Sequence, residues 1–408
     1  MKREALDRTA NRPKPVQRIE LSDKHFTLKT AAFIGALVIL AGVLIYSVLT
    51  LLRVENGWTA IEADSGAGLG AGAEFVFNYE LGADGESPAI ARKALTMLYT
   101  TASVRAYQVL DARQTHMGIQ NLWQVNSHPN QEVRVEPELY RALEKMESAG
   151  RWLYLGPIWE SYQSLFNSAS DAEAAAFDPF LDEETRAWVA EAAAYAMNPA
   201  DISLRFLGND TVCLTVSDRY AAFCRDSETT AYLDFSWMRN AFAADCIAEA
   251  LIEKGYTHGT LSSLDGFTRC LDERNTLYAQ NLYELQDGRG VPVGRLEYTG
   301  PMTLVTLRAF PIDPAHETHY YVYGIGDIRT AAIDPQDGLC KAAFPFLCAL
   351  SRHQGCADVL LSLLPAYIAD QPDETALEAI QNDDLGIVRV ENGTIVTNTS
   401  LARFSPAE

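Results

Sequence analysis

Basic residues are scarce in this 408-residue sequence, which has 33 Lys and Arg against 54 Asp and Glu and a net charge of -21. A protein that binds nucleic acid needs a basic surface to meet the phosphates, so nucleic acid is excluded as a partner. The acidic balance instead favours a soluble surface on an exposed domain. Hydrophobic residues, at 48%, suffice for the core of one large domain or two ordinary ones.

Charge is missing altogether from one long apolar segment, residues 31–52. About 20 such residues, rising about 1.5 Å each, cross the hydrocarbon core of a bilayer. The segment therefore predicts a transmembrane helix at 30–52, preceded by a basic tail at 1–29. A cleaved signal peptide is the alternative, with Ala60 or Ala63 near its cleavage site. The apolar region of a signal peptide is normally only about 7 to 15 residues, which favours the anchor.

Basic residues lie on one side of this segment. Eight precede it, whereas after Arg53 the next one is Arg92. Because positive flanks stay in the cytoplasm, the pattern predicts a cytoplasmic N-terminus and an extracytoplasmic main domain. The chain is thus expected to be a single-pass protein of the cell membrane.

Cysteines are absent before Cys213, and none of the seven stands in a C-x-x-C pair that would indicate zinc or redox chemistry. In VCLTVSDRYAAFC, a two-residue turn at Asp218-Arg219 would place Cys213 and Cys224 opposite each other in a hairpin. An extracytoplasmic location permits disulfides. We therefore expect a disulfide between these two cysteines.

The rest of the chain divides into a juxtamembrane linker (53–72), a domain (73–400) and a short C-terminal tail (401–408). The linker ends in GAGLGAG, which favours a flexible spacer over a phosphate-binding loop because no strand precedes it. Predicted strands lie at 73–81, 211–217, 220–226, 296–310, 318–325 and 344–350, and predicted helices at 87–112, 136–150, 182–197, 242–256 and 357–368. This mixture, with hairpins, predicts an α+β or mixed α/β fold.

Several separated blocks resemble the FAD:protein FMN transferases, the ApbE family. Residues 233–236, LDFS, are similar to the family's strand end Asp-Leu-Gly/Ser, and 241–245, AFAAD, to its helix opening Gly-Tyr-Ala-x-Asp. Residues 332–338, AIDPQDG, are similar to its Ile-Asp-Pro-x-x-Gly turn, and 356–364, CADVLLSLL, to its Ala-Asp-x-x-x-Thr helix. The resemblance spans about residues 73 to 370. It implies an ApbE-like, T-fold-related domain behind the transmembrane helix.

The resemblance implies transfer of FMN from FAD to a threonine of an acceptor protein, with Mg²⁺ neutralising the pyrophosphate. It assigns cofactor binding to Asn126, Asp234, Ser236, Asp245 and Arg269. It assigns the metal to Asp358 and Ser362, which lie four residues apart on one helix face and offer the oxygen ligands that Mg²⁺ prefers. For Asp358 the alternative is a first-turn carboxylate that the helix dipole favours.

The sequence also departs from the family pattern. Ala331 stands where the family has a histidine, so no catalytic residue is named, and Asp265 enters a turn where the family has glycines. His316 and His319 lack the H-E-x-x-H spacing and are assigned to a solvated loop. Two functions stay open: an FMN transferase that uses FAD and Mg²⁺, or a non-catalytic protein that uses the same fold to bind a flavin or a partner protein.

The anchor leads to a direct test. We expect the full chain to stay in the membrane pellet after carbonate extraction, because residues 31–52 remain in the bilayer. A chain that begins at residue 55 should appear in the soluble fraction. A mature protein that lacks its first 60 or so residues by mass spectrometry would instead support the signal peptide.

Overall fold

The computed structural model of the chain describes residue 43 and residues 56–68, 70–72, 74–83, 85–313, 318–397 and 399–406. The predicted cytoplasmic tail and transmembrane helix lie outside the described residues, apart from Val43. Within the part of the chain that is described, no helix has the length and hydrophobicity that crossing a membrane requires. The chain from residue 55 onward forms one compact unit.

The described residues form sixteen strands, numbered along the chain. They are β1 (Gly57–Ala60), β2 (Phe75–Leu81), β3 (Glu132–Arg134), β4 (Ile202–Gly208), β5 (Thr211–Val216), β6 (Gly259–Ser263), β7 (Phe267–Cys270), β8 (Leu277–Gln286), β9 (Arg289–Thr299), β10 (Met302–Arg308), β11 (Tyr320–Val322), β12 (Ile328–Thr330), β13 (Phe346–Ser351), β14 (Leu385–Glu391), β15 (Thr394–Thr397) and β16 (Arg403–Pro406).

Ten α-helices accompany them in the same residues. They are α1 (Pro88–Leu110), α2 (Leu122–Ser127), α3 (Pro137–Ala149), α4 (Gly156–Phe166), α5 (Asp171–Ala175), α6 (Glu183–Met197), α7 (Asp218–Asp226), α8 (Arg239–Glu253), α9 (Cys356–Tyr367) and α10 (Glu374–Ile380). Short 3₁₀ turns lie at Ser65–Ala67, Trp152–Tyr154 and Ser236–Met238.

An antiparallel sheet of eight strands, in the order β1-β2-β6-β7-β10-β13-β14-β15, organises the fold. Its central strands β10 and β13 are buried along their whole length. Apolar runs such as Phe346–Ser351 (FLCALS) are typical of strands that are covered on both faces. Helices α8 and α9 cover one face. The sheet β16-β9-β8 covers the other, with a core that includes Leu304, Phe346 and Leu296. The mixed α+β fold predicted from the sequence is thus confirmed.

A third sheet, β3-β5-β4, belongs to the long excursion that the chain makes between β2 and β6. Strands β4 and β5 form a hairpin whose turn residues Asn209 and Asp210 both have positive φ, 49° and 57°. This pattern is typical of a type I′ turn, for which Asn and Asp are favoured. Strand β4 was not predicted.

The predicted hairpin at 211–226 is wrong in its second half, which is helix α7. The Ser217 hydroxyl accepts a hydrogen bond from the Tyr220 backbone N–H (3.2 Å) and so caps this helix at its N-terminus. Tyr220 and Cys224, four residues apart, are buried on one face of the helix. The expected disulfide is therefore wrong as well: Cys213 and Cys224 are both free, as are the other five cysteines.

The predicted linker and C-terminal tail also contain structure. Residues 57–60 are strand β1, paired with β2, and the Gly72 N–H donates a hydrogen bond to Ser103 Oγ on α1 (3.0 Å). At the other end, β16 pairs with β9. The domain boundaries predicted at residues 73 and 400 were therefore too narrow, because short strands with few apolar residues give little signal in the sequence.

Candidate functional site

Asn126 holds the chain in place just before the first block of the resemblance. Its Oδ1 accepts from the Leu233 N–H (2.9 Å), and its Nδ2 donates to the carbonyls of Leu233 (2.9 Å) and Ala112 (3.2 Å). The side chain is 3% exposed. The side-chain amide thus forms hydrogen bonds to the backbone of both Leu233 and Ala112. The predicted role of Asn126 in cofactor binding stays a prediction.

Asp234 and Ser236 form a tight turn directly after Leu233. The Ser236 N–H donates to Asp234 Oδ1 (2.7 Å), and Ser236 takes a φ of 51°, which a non-glycine residue adopts at a cost. Burial raises the pKa of Asp234, although the Arg113 guanidinium, 3.5 Å from Oδ2, opposes this shift. Trp237, the next residue of this turn, is buried.

Asp245 lies on α8 and joins three elements. Arg269 Nη1, on β7, donates to Asp245 Oδ1, and the backbone N–H groups of Cys356 (2.8 Å) and Ala357 (2.9 Å) donate to its two oxygens. The carboxylate therefore caps the N-terminus of α9 from a neighbouring helix, where the helix dipole favours a negative charge. A Cβ at Gly355 would lie 2.4 Å from Asp245 Oδ2, so this approach requires glycine. The predicted cofactor role of Asp245 and Arg269 stays a prediction.

The two predicted metal ligands on α9 are engaged by other groups. Lys145 Nζ, on α3, donates to Asp358 Oδ2 (2.8 Å), and the Ser362 hydroxyl donates to the Asp358 backbone carbonyl (2.9 Å). Among the described residues, no group of three His, Cys, Asp or Glu side chains is placed to hold an ion. One carboxylate, paired with Lys145, and one hydroxyl do not by themselves complete the oxygen shell of Mg²⁺, and the predicted metal role of Asp358 and Ser362 stays a prediction.

Asp265 and Ala331, two positions where the sequence departs from the family pattern, lie close together. Trp237, Asp265, His319, Ala331 and Tyr367 line one cavity, but its volume is only about 30 Å³, enough for water. Sites for drug-sized ligands measure about 300 to 1,000 Å³. Neither Asp358 nor Ser362 lines this cavity. This cavity alone is therefore too small for a flavin nucleotide.

A pair of groups in this cavity was not predicted from the sequence. His319 Nδ1 lies 3.9 Å from Asp265 Oδ2, which also accepts from Asn240 Nδ2 (2.9 Å). The Ala331 N–H donates to the His319 carbonyl (3.1 Å), so the two residues continue the β11–β12 pairing and stand opposite each other. His319 was assigned to a solvated loop. The signal that would have found it is the tyrosine-rich run at 320–323, followed by glycines and a second short strand, which indicates a hairpin.

The fold is ApbE-like, as comparison with solved structures shows. The chain is similar to the ApbE protein of Thermotoga maritima, with a TM-score of 0.55, 13% identity and coverage of 85% of this chain and 97% of that one. It is also similar to the flavin transferase ApbE of Vibrio cholerae, with a TM-score of 0.53, 11% identity and coverage of 86% and 97%. No family model and no curated protein matches the sequence. The resemblance read from the sequence is thus confirmed for the fold.

The role of Asp245 can be measured. We expect Asp245→Ala to lower the free energy of unfolding by about 3 kcal/mol or more, because it leaves Arg269 unpaired in a buried position and the first N–H groups of α9 without a cap. Lys145→Ala is the matched control. It breaks an ion pair whose side chains are 43% and 42% exposed, which is worth less than about 1 kcal/mol. Equal losses in urea unfolding would contradict the capping role.

Asp265 should make stability depend on pH. Burial raises its pKa to about 6, and the charge of Glu74 adds to this shift. A carboxyl whose pKa is higher in the folded state than in the unfolded state binds more protons when folded. The free energy of unfolding is therefore highest below about pH 4 and falls as the pH rises through 6.

Asp265→Asn stays neutral, and we expect it to be more stable than the parent at pH 8, by up to about 3 kcal/mol, and equal to it at pH 4. Asp383→Asn, at an exposed position, controls for the loss of one charge. A difference between Asp265→Asn and the parent that does not change with pH in thermal unfolding would contradict this account.

Proposed function

We propose that this chain is a non-catalytic protein with the ApbE flavin-transferase fold, which uses that fold as a binding module and does not transfer FMN. The observation that carries the proposal is the cavity of about 30 Å³ where Trp237, Asp265 and Ala331 meet, which has no room for a nucleotide. The ion pair between Lys145 and Asp358 supports it, because an intramolecular cation occupies the carboxylate that the metal would need.

The proposal places the module outside the cell membrane, on a single-pass anchor with a cytoplasmic N-terminus. Its support is the uncharged segment at 31–52 and the basic residues that precede it. The net charge of -21 argues against nucleic acid as a partner, so a protein or a small molecule at the membrane surface is the expected ligand class.

FMN transfer from FAD to a protein threonine is the second candidate. The similarity to two solved ApbE proteins favours it, and so does the pair of His319 and Asp265 in the cavity. An imidazole next to a carboxylate can accept a proton from a hydroxyl nucleophile. In this candidate His319 takes the proton that the acceptor hydroxyl loses, and Asp265 stabilises the resulting charge.

Incubation with FAD and Mg²⁺ separates the two. We expect the purified chain to release no AMP by chromatography and to show no rise in melting temperature with FAD, because a ligand that does not bind the folded state cannot stabilise it. AMP release that is lost in His319→Ala would overturn the proposal and support FMN transfer.

A companion variant tests why the nucleotide does not bind. Trp237→Ala enlarges the cavity while keeping Asp234 and Ser236 in place, so FAD should raise its melting temperature more than that of the parent. Trp152→Ala, which removes a buried tryptophan that does not line this cavity, is the matched control. Identical FAD responses in the two variants would contradict closure by Trp237.

A further inference from the structure

A second and much larger cavity lies between the eight-stranded sheet and strand β8. Its volume is about 390 Å³, within the range of small-molecule sites. Its walls come from β6, β7 and β10 on one side and from β8 on the other. It shares Thr306 and Arg308 with the small cavity at Ala331, but its other lining residues are its own.

This cavity interrupts a packed interface between two sheets. Next to the cavity, the positions that face the space between the two sheets are apolar. Leu304, Phe346 and Leu350 of the eight-stranded sheet pack against Leu282 and Leu296 of the sheet β16-β9-β8. Inward positions of a sheet sandwich are expected to be apolar along their whole length, because they fill the space between the sheets.

At the cavity the same face of the large sheet turns polar. Ser262 and Thr268 are paired across β6 and β7, and Thr268 is paired with the core residue Leu304 across β7 and β10. Residue pairing of this kind places Ser262, Thr268 and Thr306 on the face that carries Leu304. Thr268 and Thr306 are only 8% and 4% exposed. Burial of hydroxyl groups is costly unless they form hydrogen bonds.

Part of this hydrogen-bonding capacity is used within the protein. Thr268 Oγ1 donates to Ser262 Oγ (3.0 Å), and Gln280 Nε2 donates to Thr306 Oγ1 across the gap (3.1 Å). The Thr306 hydroxyl also donates to Cys348 Sγ (3.6 Å). A hydroxyl offers one donor and two acceptor lone pairs, so each of these hydroxyls retains acceptor capacity. The lining is thus suited to a ligand that both donates and accepts hydrogen bonds.

Charge restricts the class of ligand. Among the residues that line the cavity there is no Asp, Glu, Lys or His, and Arg308 is the one charged side chain, with its Nη2 bonded to the Leu264 carbonyl (3.1 Å). A phosphorylated ligand carries more than one charge and would call for several cations. The absence of carboxylates likewise disfavours a metal ion. The ligand class that remains is neutral and rich in hydroxyl groups.

Aromatic side chains supply the other wall. Tyr278 stacks on Tyr298 with ring centroids 5.7 Å apart, and its hydroxyl donates to Asp272 Oδ2 (2.5 Å). Trp58 meets it edge-on at 5.9 Å. A tyrosine held in this way offers a rigid apolar surface beside polar groups, which suits the apolar C–H face of a sugar ring.

We infer that this cavity binds a neutral mono- or disaccharide, with Ser262, Thr268 and Gln280 as hydrogen-bonding partners and the tyrosines as the apolar wall. The inference goes beyond the proposed function and does not rest on it, because no flavin or metal is involved. It gives the binding module a ligand of stated chemistry.

The test uses the full chain in detergent and three neutral disaccharides: maltose, cellobiose and N,N′-diacetylchitobiose. At least one should show saturation transfer from the protein by NMR and raise the melting temperature at millimolar concentration. Glucose and glucose 6-phosphate form a further pair, of which glucose should bind more tightly. If none of the disaccharides binds, or if glucose 6-phosphate binds better than glucose, the inference is overturned.

A double variant locates the site. Ser262→Ala with Thr268→Val removes both partners of one hydrogen bond at nearly constant volume, so the melting temperature should stay close to that of the parent. The disaccharide should bind about tenfold more weakly or worse, since it loses its hydrogen bonds to both side chains. Thr215→Val, in a strand of the third sheet, is the matched control and should bind like the parent.

Unchanged binding by the double variant would overturn the assignment of this cavity. The outcome is independent of the FAD experiment. AMP release or stabilisation by FAD would overturn the proposed function and leave the sugar site standing, whereas a lack of sugar binding would leave the proposed function standing.

Discussion

The carboxylate of Asp245 is the contact on which the central architecture depends. It meets Arg269 of the sheet and the first N–H groups of α9 at once, and so joins both covering helices to the strand beneath them. A buried carboxylate needs such partners, because a lone charge in this setting is costly. This contact also requires glycine at position 355, since any side chain there would collide with the carboxylate.

The polar residues of the resemblance also take part in contacts within the fold. The polar groups of the resemblance are directed at each other: Asn126 at the backbone of Leu233, Asp245 at Arg269, and Asp358 at Lys145. Each contact links parts of the chain that are far apart in the sequence. Contacts of this kind belong to the fold, whereas function depends on the chemistry of a site, so the shared fold does not by itself decide the activity.

Several features were predictable from the sequence. Helices α3 and α6 have acidic or proline-containing starts and regular apolar spacing, and the order of the family blocks indicated the fold correctly. Strands β4 and β8 and most of β9 were missed, since their exposed faces carry mixed side chains and their alternation is weak. The single strand predicted at 296–310 is instead the end of β9 and the whole of β10. The hairpin prediction at 211–226 failed because Ser217 caps a helix, a choice that local spacing alone did not reveal.

The contacts at the candidate site were not predictable for a different reason. Lys145 and Asp358 are 213 positions apart, and Asn126 and Leu233 are 107 apart. A single sequence contains no signal for such pairs, because they follow from how the helices pack. Periodicity placed Asp358 on a helix correctly, but which neighbour it meets is a property of the assembled fold.

The pairing of β2 with β6 has a consequence for how the chain is made. Phe75 meets Ser263, so the N-terminal edge of the sheet cannot close until the whole intervening excursion has been synthesised. The entropy of closing such a loop grows only slowly with its length, but contacts between distant residues slow the search for the native state. Until then β2 leaves its hydrogen-bonding groups unpaired on the side where β6 will dock, a surface that invites association between nascent chains. A ribosome-associated or export chaperone that shields this strand would therefore be expected to raise the yield of folded protein.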